Sequence, residues 1–452
     1  MKSGLVRVRI PPSPTGFCHV GTARMAILNF LFARRHGGQI IFRSEDTDKE
    51  RSNAAYEEDI IESLKWLGLE WEEFYRQSER TLIYKKYLEQ LINADKAYIS
   101  VEESKKEPGK MASVVRLRNP GTLITFHDLI RGDITFDTAE LKDFAIARSV
   151  VDPLYHFAVV ADDAEMSITH VIRGEEHISN TPRQILIQEA LGLARPQYAH
   201  YPLHLAADKS KLSKRKGDVS VRDYREKGYL PQALLNYIAL LGWTPPSGRE
   251  VMDLNDMIKE FNIEDLHRSG AVFDIEKLRW FNRQYLTKMP EKIFANETMR
   301  IMAETLDVRG VAWSENVGRS LVTLVRERIS VWEDLRALVS EGEFDYFFTD
   351  PKLDRAEIPE KGKDPANAAR HLDTINKILA DSPNELFADQ NKIKEAVWSY
   401  ATKEGRGAVL WPFRYALTGR ARSPDPFEVA AIIGKEPTLR RINSAISILG
   451  NA

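Results

Sequence analysis

Val6 to Ile10 alternates apolar and basic side chains (V-R-V-R-I), the period of a half-buried strand. Pro11, Pro12 and Pro14 end it in a stiff loop. From Val20 to Arg35 apolar residues recur at helical spacing, with Ala23, Ile27, Phe30, Leu31 and Phe32 on the inward faces, and Gly37-Gly38 close the helix. Gln39 to Arg43 (Q-I-I-F-R) predicts a second strand. This strand–loop–helix–strand order opens a parallel α/β sheet. Residues 53–67 and 79–95 predict amphipathic helices.

The pattern changes at about 97–145. Helical periodicity fades and short β-like runs replace it, such as Val114 to Leu117 and Asp133 to Phe136, which predicts an insertion interrupting the sheet. Strand and helix signals resume near Phe157–Val160 and Ile168–Ile172, and again over Thr181 to Leu191. From about 229 onward helical patterns dominate: Leu230–Leu241, Ser314–Leu338, Ala366–Ala380 and Asn391–Lys403. The polar, Pro-containing stretch Pro351–Lys363 predicts a hinge inside this helical half. No internal repeat or low-complexity tract is visible.

Composition narrows the class. At ~100–200 residues per domain, 452 residues suit roughly two to four domains. The chain is 43% hydrophobic and 29% charged, ordinary for a soluble globular protein. A single cysteine, Cys18, excludes an intramolecular disulfide and a Cys-based structural zinc site, and fits a reducing cytoplasmic location. No apolar run approaches the ~18 residues of a membrane span, and no leader-like segment precedes the first strand. A net charge of −2 disfavours nonspecific coating of nucleic acid, yet residues 201–230 and 401–452 each carry about twice as many basic as acidic residues.

Two motifs carry candidate chemistry. Pro12-Ser13-Pro14-Thr15-Gly16-Phe17-Cys18-His19-Val20-Gly21-Thr22 lies between the first strand and the first helix, where an α/β sheet presents ligands. There Gly21 lets a nucleotide approach the backbone, His19 offers a donor to phosphate oxygens, and Thr22 adds a hydroxyl. Taken alone, H-x-G-T is more often a turn with a satisfied histidine. The second motif, Lys211-Leu212-Ser213-Lys214-Arg215, sits in a basic run from Lys209 to Lys216. Its lysines can neutralise charge as pyrophosphate leaves; alone it reads as a solvated basic loop. No P-loop, Gly-rich dinucleotide fingerprint, kinase signature or H-E-x-x-H motif competes with this pair.

Together the two motifs resemble the paired signature loops of class I aminoacyl-tRNA synthetases, and in particular bacterial-type glutamyl-tRNA synthetases. The resemblance extends to Arg43-Ser44-Glu45-Asp46-Thr47-Asp48, Tyr75-Arg76-Gln77-Ser78-Glu79-Arg80, and Thr169-His170-Val171-Ile172-Arg173-Gly174-Glu175-Glu176-His177. It continues through Asn180-Thr181-Pro182-Arg183-Gln184, Leu235-Asn236-Tyr237, Phe273-Asp274 and Ala416-Leu417-Thr418-Gly419. It spans nearly the whole chain and is thin at 97–145 and 340–400.

The resemblance implies an α/β fold: a Rossmann-like parallel-sheet catalytic domain with an inserted acceptor-binding domain, followed by an all-helical anticodon-binding half. The implied divisions are 1–96 and 146–228 for the two halves of the catalytic domain, 97–145 for the insertion, 229–300 for a helical stem-contact domain, and 301–452 for the anticodon-binding domain. The reaction it implies has two steps: ATP activates L-glutamate to glutamyl-adenylate, and a terminal ribose hydroxyl of tRNA(Glu) takes the acyl group, with tRNA(Gln) left open. By resemblance Arg9, Ser13, Glu45, Tyr155 and Arg173 would hold glutamate, with the two arginines on its carboxylates and Glu45 on its ammonium. Pro12, His19, Gly21, Thr22, Glu176 and Lys214 would hold ATP; His19, Thr22, Lys211, Ser213 and Lys214 would serve the chemistry. Mg²⁺ would accompany the phosphates, no protein side chain is assigned to a metal, and the lack of cysteine at 97–145 implies no zinc there. Relatives are mostly monomers and need tRNA before they activate glutamate. Arg328 falls where some relatives read the last anticodon base, and reads equally well as a solvated helix arginine.

Some positions depart from the family pattern. Pro11 stands where alanine is frequent, Ser44 where isoleucine is frequent, and Val159 where relatives carry asparagine or valine. Cys18 adjoins His19 and has two readings: a tolerated small residue, or a position whose alkylation would block the ATP site. Four other readings stay open at this point: a glutaminyl-tRNA synthetase, the short paralogue that modifies queuosine in tRNA, a nucleotidyltransferase of the same fold, and an inactive tRNA-binding paralogue.

Overall fold

The computed structural model describes residues 5–103, 109, 111–205 and 220–450. They divide into two compact units, Met1–Tyr285 and Leu286–Ala452.

The first unit opens with β1 (Arg7–Ile10), α1 (Val20–Arg35), β2 (Gln39–Ser44), α2 (Ala54–Trp66) and β3 (Glu73–Arg76). The strands pair in parallel, in the order β1-β2-β3. Helix α1 has the bounds its pattern predicts. His19 caps its start, and the chain leaves its end through Gly37 at φ +62°. Ala23, Ile27 and Leu31 are fully buried, so α1 covers the sheet with the face expected.

Next come α3 (Thr81–Asn93), β4 (Ala97–Glu103), β5 (Met111–Leu117), β6 (Leu123–Asp128), β7 (Gly132–Asp137), β8 (Phe144–Ser149) and β9 (Asp152–Pro153). The chain then forms α4 (Tyr155–Glu165), β10 (His170–Gly174), α5 (Thr181–Leu191) and β11 (Gln197–Tyr201). Strands β4, β5, β8 and β9 make an antiparallel sheet in the order β4-β5-β8-β9. The β6–β7 hairpin takes a different course: β6 pairs in parallel with β11, Asp128 facing Tyr198, and so extends the sheet that holds β10. The stretch at 97–145 is therefore woven into its surroundings. Val115, Leu117, Ile124 and Phe126 share one core with Leu88, Phe157 and Ile185, and the strands run past 145 to Pro153.

Strand β10 lies beside β1: Thr169 N donates to Arg7 O, and Arg7 N to Thr169 Oγ1, each at 2.9 Å. Chain order thus reverses at β1, with β2 on one side and β10 on the other. Open α/β sheets bind ligands in the crevice beyond the strand ends at such a point. The unit continues through α6 (Val221–Glu226), α7 (Pro231–Ala239), α8 (Leu254–Glu260) and α9 (Ile275–Lys288), whose last three residues fall past its boundary.

The second unit is helical: α10 (Glu291–Val308), α11 (Glu315–Arg328), α12 (Trp332–Ser340), α13 (Asp345–Phe348), α14 (Pro365–Asp381), α15 (Gln390–Glu404), α16 (Arg406–Thr418), α17 (Pro426–Ile433) and α18 (Lys435–Gly450). Two expectations need correction. The single helix over Ser314–Leu338 is two, because the chain is extended at Ile329 and Val331 and Asp334 caps the second start by accepting from Ser330 N and Val331 N at 2.7 and 3.0 Å. The hinge at Pro351–Lys363 lacks helix but is packed: Ile358 is fully buried, and the Glu357 carbonyl accepts from Trp411 Nε1 at 3.1 Å. Among the described residues no helix is long and apolar enough to cross a membrane.

Candidate functional site

The loop after β1 and the N-terminus of α1 form one wall of the crevice. His19 Nδ1 accepts from Gly21 N at 3.0 Å. With Nδ1 used as an acceptor, a neutral His19 carries its proton on Nε2, the arrangement a phosphate oxygen needs. A methyl group at Gly21 would meet the His19 ring at 3.4 Å, an ordinary contact. Pro12 is buried and its carbonyl accepts from Glu45 N at 2.9 Å, which ties this loop to the end of β2. Ser13 is exposed and Thr22 half-buried. Cys18 sits in the interior, away from reagents in solvent. It is fully buried, its N–H donates to Asp59 Oδ2 at 2.7 Å, and burial, with Asp59 nearby, pushes the thiol far above its usual range.

The floor is cationic. Arg9 near the end of β1 and Arg173 near the end of β10 are both buried. Arg9 Nη1 donates to Ile172 O at 3.4 Å, which sets the two guanidinium groups on neighbouring strands. Burial pulls the Arg173 pKa below the guanidinium's ordinary value; Tyr155 opposes this and Arg9 reinforces it. Arg173 gives Nε to His200 Nε2 at 3.1 Å and Nη2 to Thr181 Oγ1 at 2.9 Å. Its buried Nη1 has no hydrogen-bond partner among the described residues, and neither does Arg9 Nε, which stands 3.5 Å from Asp163 Oδ1. A stranded buried donor costs about 1–3 kcal/mol, more when charged, so these atoms are suited to an anionic ligand.

Tyr155, at the start of α4, faces the same space. Burial and the Glu45 charge push its phenol up to about 12, while Arg173 and Arg9 pull the other way. Its hydroxyl lies 3.3 Å from His177 Nδ1. Glu45 is buried and accepts from Arg43 Nη2 at 2.9 Å. Burial raises its pKa and Arg43 offsets this. Arg9, Glu45, Tyr155 and Arg173 therefore converge, with guanidinium and carboxyl groups side by side. Glu176 lies on the exposed rim with its carboxylate folded over Gly174, where a Cβ would come within 2.1 Å of Oε2 and would turn that side chain aside.

Sequence reading assigned no role to Arg43, Asp162, Asp163, His177, Thr181 or His200, all of which support this cluster. A buried arginine in a strand and two adjacent aspartates in an apolar helix (V-V-A-D-D-A) were the available signals. Lys211, Ser213 and Lys214 lie outside the described residues. Arg328 ends α11 in the second unit, exposed, with its guanidinium 5.9 Å from the Phe344 ring centre. Among the described residues no group of three or more His, Cys, Asp and Glu could hold a metal ion.

Comparison with known families agrees with this geometry. Residues 5–108 and 99–280 match the model for the catalytic domain of class I tRNA synthetases (E and Q), and residues 275–446 match an anticodon binding domain. A glutamate–tRNA ligase of Aquifex aeolicus is 39% identical over 97% of this chain and 98% of its own length. The chain belongs to the glutamate–tRNA ligase family. A second such ligase, from Thermoanaerobacter pseudethanolicus, is 37% identical over 98% of both chains. A crystal structure of a glutamate tRNA ligase from Elizabethkingia meningosepticum, in complex with its amino acid, superposes with a TM-score of 0.86 at 32% identity and covers 98% of this chain and 99% of that one. The chain is thus an aminoacyl-tRNA synthetase, and the expected order of an α/β catalytic body and a helical half is that of a glutamate–tRNA ligase.

Proposed function

We propose that this chain joins L-glutamate to the 3′ end of tRNA(Glu) through a glutamyl-adenylate, with tRNA(Gln) as a second acceptor to be tested. The observation that carries the reading is the buried Nη1 of Arg173, beside Arg9 and without a hydrogen-bond partner among the described residues. Two guanidinium groups suit an amino acid with two carboxylates, and glutamine would leave one of them without its ion. Glu45 would take the α-ammonium, and Tyr155 and Ser13 would add hydrogen bonds.

The chemistry needs no protein nucleophile. The α-carboxylate attacks the α-phosphorus of ATP, pyrophosphate leaves, and a ribose hydroxyl then displaces AMP. Pro12, Gly21, Thr22 and Glu176 would line the nucleotide site, with His19 donating from Nε2 to a phosphate oxygen. Lys211, Ser213 and Lys214 would meet the leaving pyrophosphate. Mg²⁺ would arrive with ATP and neutralise its phosphates. These groups act by position and charge. The strands around 97–145 would meet the acceptor end and the second unit the anticodon, where Arg328 would read a base. A cytoplasmic monomer completes the reading.

The test is charging of purified tRNA(Glu) and tRNA(Gln) with labelled glutamate or glutamine. Glutamate should be incorporated and glutamine should not. Incorporation of glutamine in its place would reverse the assignment of Arg173.

A further inference from the structure

His200, on β11, is fully buried and bonded through every polar atom. Its backbone N–H donates to Asp128 Oδ2 at 3.0 Å, and its ring Nδ1 lies 2.6 Å from the same oxygen. Its carbonyl accepts from Arg131 Nε at 3.0 Å. Asp128, at the end of β6, also accepts from the N–H groups of Ile130 and Arg131 through Oδ1, both at 3.0 Å, which fixes the carboxylate in the β6–β7 turn. The other ring nitrogen, Nε2, receives Arg173 Nε at 3.1 Å. An arginine N–H can only donate, so this contact requires a lone pair on Nε2 and the proton on Nδ1. A carboxylate can only accept, so Asp128 enforces that tautomer. Thr181 Oγ1 accepts from the adjacent Nη2, and its single proton has two acceptors in reach, His177 O at 3.1 Å and His200 Nε2 at 3.2 Å, the second again calling for a lone pair on Nε2.

We propose that Asp128 and His200 are positioning residues that set the guanidinium of Arg173, by fixing the imidazole tautomer, so that its remaining N–H groups meet the substrate carboxylate. The proposal rests on the reading of Arg173 as a glutamate ligand and deepens it. It is the tautomer, more than the shape of the pocket, that carries the effect. An amide at position 128 could donate to Nδ1, leaving the proton on Nε2 facing Arg173 Nε–H.

The test measures KM for glutamate and for ATP in pyrophosphate exchange, using the full chain with tRNA present and the variants D128N, H200Q, H200L and R173A. D128N, close to isosteric, should raise KM for glutamate about ten- to a hundredfold while KM for ATP stays within about twofold. H200Q, whose side-chain carbonyl can accept in place of Nε2, should retain much more glutamate affinity than H200L. Unchanged glutamate KM in both D128N and H200L, parallel rises for glutamate and ATP, or equal losses in H200Q and H200L would each overturn the proposal. If R173A itself leaves KM for glutamate intact, the reading of Arg173 fails instead, and the two failures are distinguishable.

Discussion

Arg43 Nη1 donates to Asp163 Oδ1 at 2.7 Å and ties β2 to α4 in the interior beneath the crevice. The same guanidinium holds Glu45 through Nη2. Next to Asp163, Asp162 accepts from Gln77 Nε2 and Tyr84 Oη at 2.8 Å each and from Arg80 Nε at 2.6 Å. Carboxylates and guanidinium groups alternate through a region closed to water. Glu45 therefore reaches the crevice already oriented, with its charge supported from behind.

Breaking this set should cost stability more than any surface ion pair would. Asp162→Ala strands three donors and should lower unfolding free energy by about 3–5 kcal/mol, measured by urea denaturation. A loss below about 1 kcal/mol, the level of an exposed pair, would show that the network is not structural.

Arg173→Ala should reduce kcat/KM for glutamate by at least about a hundredfold and leave KM for ATP nearly unchanged. Arg173→Lys should recover little, because a lysine cannot meet His200, Thr181 and a carboxylate together. Near-native glutamate KM in either variant contradicts the assignment.

Acid lability follows from two histidines. Burial holds His177 down at about 3 and His156 at about 4, below the ordinary value of 6.5, and nearby arginines add to both effects. Between pH 6.5 and these values the unfolded chain binds protons that the folded chain refuses, so stability rises with pH across this window and is lost as pH falls through it. Tm should drop from pH 6.5 toward about pH 4.5, and His177→Asn should flatten the slope. A variant with the native slope would remove His177 from this account.

Cys18 should resist thiol reagents in the native protein and react once per chain after unfolding in guanidinium. Rapid native modification would mean that the loop between β1 and α1 opens in solution.

Gly419 stands at φ +64°, and a Cβ there would come within 2.8 Å of Lys352 O. Gly419→Ala should destabilise the second unit by about 1–3 kcal/mol through both effects. Thermal unfolding checks this, and an unchanged Tm would contradict it.

The elements that the sequence announces are those with local punctuation. Helix α1 begins at its capping histidine and ends at a glycine, and α5 begins at Thr181-Pro182 and ends at Gly192 in the left-handed region. The break between α11 and α12 has a weaker signal, an Ile-Ser-Val run followed by a capping aspartate, and helical periodicity masks it. The pairing of β6 with β11 has no local signal at all, because it joins residues about 70 positions apart. The same holds for the site. Arg9, Glu45, Tyr155 and Arg173 were legible through motif and resemblance. Asp128, Asp162 and His200 were not, since each gains its role only from partners that folding brings close.

The most direct test of the central claim is pyrophosphate exchange with ATP·Mg²⁺ and glutamate, glutamine or no amino acid, each with and without total tRNA. Exchange should appear with glutamate when tRNA is present, and should be absent with glutamine. Exchange with glutamine, or none with glutamate and tRNA from folded protein that binds tRNA, would contradict the account.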